Sequence, residues 1–285
     1  MSYRKFSLVF GFIMVLVFAS PALAANPINL LTVDESRMGV QTNQYGSINF
    51  NFVAPGAFDT VRGDLLNLSN FGPGGIVDRS VNILPTVSSL TPEALANADI
   101  LVLPAMGGLS PEENTAVSNY VQNGGGLFLF SNWAPNTIGQ DIFGTTIGTT
   151  TGNFVVVTDA GSPVINGPFG VVDASVADPL YLMWNQSFGS VGPYGHEILR
   201  NDQGEAFGVT LEYGSGKAVL FSDEELFMNP PAVAYIAAPN LSPRTEMLFL
   251  NSFAYAAGTH QNTVPEPATL LLFGTGLLGA FLRKR

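Results

Sequence analysis

Asp99-Ile-Leu-Val-Leu-Pro104, Ser110-Pro-Glu-Glu113 and Gly126-Leu-Phe-Leu-Phe130 follow one another in the middle of the chain and decide its fold. The first is a continuous apolar run without a polar face, the pattern of a strand buried on both sides. The second opens a helix. Ser110 is its N-cap, Pro111 takes the first helical position, where no amide hydrogen is needed, and Glu113 sits three residues on to close a capping box. Val117, Tyr120 and Val121 supply the apolar face, and Asn123-Gly124-Gly125 stops the helix. The third run is again a continuous apolar strand. Strand, helix and strand in this order make a βαβ unit, whose two strands are parallel members of a sheet covered by helices.

Upstream, Pro27 to Asp34 reads as a buried strand that ends in Asp34-Glu35-Ser36. Ala57 to Asn70 spaces Phe58, Val61, Leu65, Leu66 and Leu68 near helical intervals and stops at Gly72-Pro73-Gly74-Gly75. Asp78 to Leu84 suggests a second strand, and Thr91-Pro92-Glu93 a short capped helix. Downstream, Ser131 to Asn153 is rich in Gly, Thr and Asn and reads as loop. The second half is then β-rich: Asn153–Thr158, His196–Arg200, Glu205–Tyr213 and Lys217–Ser222, with Tyr213 to Gly216 as a hairpin connection. Pro243 to Ala257 forms a last helix behind the N-cap Ser242, with Met247, Leu248, Leu250, Phe253 and Ala254 on its buried side. The expected class is α/β, a mostly parallel sheet with helices on both faces and a β-rich second half.

Between residues 25 and 263, six cations face twenty-one carboxylates, a net charge of −15. Such a body repels phosphate, so nucleic-acid binding is excluded. The acids are spread along the chain as on a solvated surface. The chain has no cysteine, which removes thiol nucleophiles, disulfides and Cys-based metal sites. Its two histidines, His196 and His260, cannot build a multi-His metal centre. No cofactor is expected, and Gly124-Gly125-Gly126 lacks the lysine and spacing of a phosphate cradle.

The ends carry targeting signals. Arg4 and Lys5, the apolar run Phe6 to Phe18, and Ala22-Leu23-Ala24 have the order of a secretory signal peptide cut by the Sec pathway's peptidase after Ala24, with Ala22 and Ala24 as the small cleavage-site residues. The end reads Val264-Pro265-Glu266-Pro267, about fifteen apolar or small residues, then Arg283-Lys284-Arg285. As a helix, Ala268 to Leu282 reaches roughly 22 Å, short of a ~30 Å hydrocarbon core, and the cations should stay in the cytoplasm. This tail resembles the PEP-CTERM sorting signal of Gram-negative bacteria. The resemblance implies an exosortase acting at Pro265-Glu266-Pro267, a transient inner-membrane contact, and delivery to the cell surface or an exopolysaccharide matrix. The expected division is a signal peptide over 1–24, an α/β domain over 25–258, a linker over 259–263 and the sorting signal over 264–285.

The middle runs, together with Ser162–Phe169 and Gly214–Asp223, resemble the class I glutamine amidotransferase-like architecture, and its non-catalytic secreted relatives more closely. Those enzymes carry a Cys at the turn after the strand that corresponds to Gly126–Phe130. Here Ser131-Asn132-Trp133 stands there, without G-x-C-x-G or G-x-S-x-G, and amidotransferase activity is not supported. A hydrolase would need Ser131 as nucleophile and His196 as base, oriented by Glu197 or Asp223. Asp34, Glu35, Asp223 and Glu224 could instead hold a hard cation such as Ca²⁺, if the sheet brings those strand ends together. Trp133, Trp184, Tyr181 and Tyr194 could stack on sugar rings, although scattered aromatics are more often core. The leading expectation is an exported, non-enzymatic domain with a binding or structural role. A secreted polysaccharide or ester hydrolase and a Ca²⁺-dependent matrix component are the alternatives.

Overall fold

A computed structural model describes residues 26–258 apart from 39, 44–45, 105, 131–136, 149–151 and 230–240. The signal peptide, Ser131 to Trp133, His260 and the sorting tail lie outside the described residues. In chain order the elements are β1 (Ile28–Thr32), β2 (Val40–Asn43), β3 (Gly46–Asn49), α1 (Asp59–Leu66), β4 (Val81–Ile83), α2 (Pro92–Leu95), β5 (Ile100–Leu103), α3 (Pro111–Gln122), β6 (Gly126–Phe130) and α4 (Ile138–Phe143). Then come β7 (Thr146–Ile147), β8 (Gly152–Val157), β9 (Asn166–Gly167), β10 (Gly170–Val171), β11 (Leu180–Asn185), β12 (Phe188–Ser190), β13 (Gly195–Asn201), β14 (Ala206–Tyr213), β15 (Gly216–Phe221) and α5 (Pro243–Ala256).

The main sheet runs β11-β8-β13-β14-β15-β6-β5-β1-β4, with β12 and β7 attached at β14. From β15 to β4 every pairing is parallel, and from β15 to β11 every pairing is antiparallel. The β5-α3-β6 unit forms as its sequence requires. Ile100 to Leu103 pair with Gly126 to Leu129, and the Ser110–Glu113 capping box is closed in both directions. Strand β15 enters beside β6 from a hairpin with β14, whose turn joins Tyr213 to Gly216. That hairpin converts a parallel half into an antiparallel wing.

Side chains of the central strands alternate between two cores. Ile100, Val102, Phe128, Phe130, Val219 and Phe221 face α1 and α5, together with Phe58, Val61, Phe249 and Phe253. Leu101, Leu103, Leu127, Leu129, Ala218 and Leu220 face α2, α3 and α4, with Leu95, Val117, Val121 and Ile138. Helices therefore cover both faces, and all nine residues of β5 and β6 are buried. The first core is dominated by phenylalanine. The Phe128 ring lies 5.0 Å from Phe130, 5.1 Å from Phe249 and 5.7 Å from Phe221, centroid to centroid. Glycine is required where the chain enters β6. A Cβ on Gly126 would stand 2.3 Å from the Ala256 carbonyl oxygen, so only bare backbone lets the end of α5 pack there.

Several local expectations change. Helix α1 ends at Leu66 rather than reaching Asn70, and Leu66 and Leu68 are exposed. The cause is local: the Asn67 side chain accepts a hydrogen bond from the Ser69 amide, and such Asx turns compete with helix. The Ser131–Asn153 stretch contains α4, closed by Gly144 at φ 72°, and the β7 strand. The Gly/Asn/Gln-rich passage after β1 holds the β2–β3 hairpin. Helix α5 is buried almost all round, Asn251 and Ser252 included, because it packs on β15 and β6 and is flanked by α1 and the β9–β10 hairpin. Among the described residues no helix is long and apolar enough to cross a membrane.

Truncating Phe128→Ala removes the ring around which the first core is built. We expect a loss of about 3–5 kcal/mol, read as a lower urea midpoint at unchanged slope. A loss under about 1 kcal/mol would mean that the Phe cluster repacks around the gap.

Candidate functional site

The parallel strands all end on one side, and the crevice of an open α/β sheet lies outside those carboxyl ends. Three described segments lie along that edge: Asp34 to Arg37 after β1, Met106 to Ser110 after β5, and Ser222 to Phe227 after β15. The turn after β6, with Ser131, lies outside the described residues.

Asp34 caps a short 3-10 turn over Glu35–Arg37, its carboxylate accepting from the Ser36 amide at 3.0 Å and the Ser36 hydroxyl at 2.5 Å. Arg37 then reaches α3. Its guanidinium donates to both oxygens of Glu113, at 2.6 and 3.0 Å, and to the Ser88 carbonyl at 2.8 Å. Glu113 also accepts from the Leu90 amide at 3.1 Å and the Ser110 amide at 3.0 Å. A single carboxylate thus ties the turn after β1, the loop before α2 and the start of α3. The Arg37 hydrogen bonds hold the Glu113 carboxyl at about 2, against the opposing effect of its burial. Sequence reading took Glu113 only as a capping-box residue, and nothing local announces a partner 76 positions away.

On the other side of β6, the run Asp223-Glu224-Glu225 is not the solvated acidic turn that its composition suggests. Asp223 and Glu224 are 1% and 0% exposed. Burial, then the charges of Glu224 and Glu225, push the Asp223 carboxyl well above its usual range. The Glu225 amide, donating to Asp223 at 2.8 Å, and the Gln186 amide offset only part of that. Ser222 is fully buried beside it and donates to the Gln186 carbonyl at 2.7 Å. The loop between β11 and β12 therefore closes over the end of β15. Thr32, at the end of β1, keeps a buried hydroxyl with no hydrogen-bond partner among the described residues.

The sheet order separates the residues proposed as metal ligands. Asp34 and Glu35 follow β1, Asp223 and Glu224 follow β15, and β5 and β6 lie between them. Three strand spacings amount to roughly 14 Å, beyond what one cation spans at 2.3–2.6 Å from each ligand. Among the described residues, no three His, Asp or Glu side chains are grouped to hold a metal.

His196 does not approach β6 either. It stands on β13, three strands away, two-thirds exposed, and its Nε2 is 2.9 Å from Asp159 Oδ2. Through Thr210 and Val219 it lies level with Phe128, short of the strand end. Hydrogen bonding to His196 is the main reason that the Asp159 carboxyl sits below its ordinary range. Glu197, proposed to orient His196, is instead paired with Arg200 at 2.7 and 3.0 Å. At these strand ends one carboxyl is thus held at about 2 and another is pushed well above its usual range.

This topology, five parallel strands continued by an antiparallel wing and covered on both faces, defines an α/β domain with a mostly parallel central sheet. Solved structures similar to the chain include a ThuA-like protein from Bacteroides uniformis ATCC 8492, 11% identical over 82% of this chain and 93% of that one, with a TM-score of 0.49. Another is the mmIFT52 N-terminal domain, 10% identical over 81% and 97% of the two chains, with a TM-score of 0.52. A ThuA-like protein from Parabacteroides merdae ATCC 43184 is 14% identical over 84% and 94%, with a TM-score of 0.43. At such identities the likeness concerns the fold alone. No curated protein matches the chain. Residues 263–285 match the PEP-CTERM protein-sorting motif. The chain is therefore an exported protein that an exosortase processes and that is sorted to the cell surface.

Two carboxyls give opposite pH signatures. Glu113 is held near 2, so its contribution is complete above the unfolded value of about 4.3 and is lost as pH falls toward 2. Glu113→Gln should cost up to about 3 kcal/mol at pH 7 and much less near pH 2.5. Asp223 is raised, so above about pH 3.9 the unfolded chain ionises while the folded one keeps its proton, and stability declines as pH rises. Asp223→Asn should raise the thermal midpoint at pH 7, by about 2–4 °C per kcal/mol relieved, and leave it unchanged near pH 3. A lower midpoint at pH 7 would show that Asp223 is held ionised.

Proposed function

We propose that this exported chain acts at the cell surface or in its exopolysaccharide layer as a binding or structural domain rather than as an enzyme. The PEP-CTERM motif at residues 263–285 carries the reading. Helix α5 ends at Ala256, and Gly258 follows it at φ 70°, a few residues before that motif. Processing at Pro265-Glu266-Pro267 would therefore leave every element of the α/β domain intact. The Sec machinery would export the chain through its signal peptide, and the apolar tail with Arg283, Lys284 and Arg285 would hold it briefly in the inner membrane. An acidic body without cysteine suits that route, since it needs no oxidative step to fold.

The separation of His196 from β6, and its pairing with Asp159, favour binding over Ser131/His196 hydrolysis. The distance between β1 and β15 argues in the same way against Ca²⁺ held by Asp34, Glu35, Asp223 and Glu224.

Intact-mass analysis of the mature protein from an exosortase-bearing host tests the reading. We expect a chain that lacks the apolar helix and the three terminal cations, and we expect Glu266→Ala to accumulate an uncut, membrane-retained form. A mature wild-type protein that keeps Arg285 would replace sorting with a permanent C-terminal anchor.

A further inference from the structure

Seven large apolar side chains are exposed among the described residues, and three of them fall within eleven positions: Leu66 at 48%, Leu68 at 63% and Ile76 at 45%. Leu66 ends α1, and the other two lie on the loop that joins α1 to β4. That loop sits at the amino end of the sheet. Just after it, the Ser80 carbonyl accepts from the Ile28 amide at 2.7 Å, where β4 and β1 begin, and the Arg79 guanidinium donates to the carbonyls of Asn26 and Pro27. Helix α5 ends at the same edge, since Ala256 packs on Gly126 at the start of β6. The loop and this helix are neighbours: the Phe71 ring lies 5.4 Å from that of Phe253.

The loop does not bury these side chains itself. Its own hydrogen bonds fix its shape. The Ile76 amide donates to the Ser69 carbonyl at 3.1 Å, Val77 to Asn70 at 2.8 Å, and Gly72 back to Val77 at 2.9 Å. The Asp78 carboxylate accepts from the Gly74 amide at 2.9 Å. Phe71 takes the inner position, against Phe169 and Phe253, and leaves Leu68 and Ile76 outside. Apolar groups fixed in water are unfavourable, and an exposed apolar patch is a mark of contact with a partner or a membrane.

Chain length says which. Ala268, the first residue of the apolar tail, is ten positions beyond Gly258. Ten residues reach at most about 35 Å even when fully extended, and the headgroup layer takes about 5–8 Å of that. A domain of roughly 230 residues is about 45 Å across. While the tail holds the uncut chain in the inner membrane, the amino end of the sheet is therefore the end kept against the lipid. Charge does not draw it there, because a body at −15 repels anionic headgroups. The ionic groups beside the loop, Asp64, Asp78 and Arg79, are two carboxylates against one cation. The contact left is apolar.

We propose that Leu66, Leu68 and Ile76 form a lipid-contacting patch that enters the headgroup–acyl boundary of the inner membrane, on its periplasmic face, before the tail is cut. The inference rests on the membrane-held intermediate proposed above. The tether makes the contact intramolecular, so a patch too small to bind a membrane alone suffices here.

The uncut chain, reconstituted through its tail into protein-free vesicles of phosphatidylethanolamine and phosphatidylglycerol with a nitroxide-labelled lipid, tests this. The chain has no cysteine, so Ser69→Cys and Ile147→Cys each create one site for a fluorophore. Ser69 is exposed within the patch. Ile147 is an exposed apolar position at the other end, where β7 joins β12 beside Ala206, beyond the Gly208–Phe221 pair. The label on Ser69→Cys should be quenched several-fold more than the label on Ile147→Cys. Adding Leu66→Ser/Leu68→Ser/Ile76→Ser should remove that excess with little change in melting temperature, since all three positions are exposed. Equal quenching at the two sites, or a triple variant quenched as the parent is, overturns the proposal. Crosslinking of Ser69→Cys between copies without quenching would put a second copy on the patch and overturns it too. A chain that does not float with the vesicles overturns the membrane-held intermediate and the patch together, whereas a floating chain with an unquenched Ser69→Cys label overturns the patch alone.

Discussion

The parallel ladder β15-β6-β5-β1 is the constraint on which the rest of this domain depends. Lys217, Gly126 and Ile100 lie side by side at its start, and Phe221 pairs with Phe130 at its end. Because strand side chains alternate strictly, this register sends the phenylalanines to one face and the leucines to the other. A one-residue slip would exchange the two sets and drive Phe128 and Phe130 into space shaped for Leu127 and Leu129. The ring cluster around Phe128 and the aliphatic layer under α3 therefore specify the register together. The helices then have a single way to dock.

Fixing the register also gives the two ends of the sheet different chemistry. The carboxyl ends collect acids, because loops there begin with Asp34, Asp223 and Glu224. They are handled in two ways. Glu113 is neutralised by Arg37 and held by two more donors, the Leu90 and Ser110 amides, which makes it a fastener between segments. Asp223 meets burial and other carboxylates, which push its carboxyl well above the usual range. The amino ends carry the packed junction of Gly126 with α5, the exit toward the sorting tail and a cavity under α2 and α3. The usual crevice of this architecture lies at the other end.

How far the sequence could be read depended on how local each signal was. The βαβ unit, the caps at Thr91, Ser110 and Ser242, and the Tyr213–Gly216 hairpin were legible because each is settled within one or two turns of chain. Helix α1 read too long because Leu66 and Leu68 continue the spacing while the Asn67 Asx turn quietly ends the helix. Helix α4 and the β2–β3 hairpin hid in polar, glycine-rich stretches whose pairing is driven by neighbours rather than by propensity. The candidate site was less legible still. Asp223, Glu224 and Glu225 look like surface acids, and no spacing shows that the β11–β12 loop covers them. His196 and Ser131 look like partners until the order of the strands is known.

By itself, then, the sequence determined the class of fold, the parallel β5-α3-β6 core and the sorting motif, because all three rest on contiguous patterns of polarity, capping and charge. Tertiary structure alone decided the order of the strands, and strand order decided the rest. It set β1 three strands from β15 and β13 three strands from β6, parting residues that a linear reading had brought together. It buried Asp223, joined Arg37 to Glu113 across 76 positions, and opened the cavity lined by Asp99, Asn119 and Tyr120. The reason is physical: pairing between distant segments is chosen by the complementarity of whole faces, and no single stretch of chain carries that information.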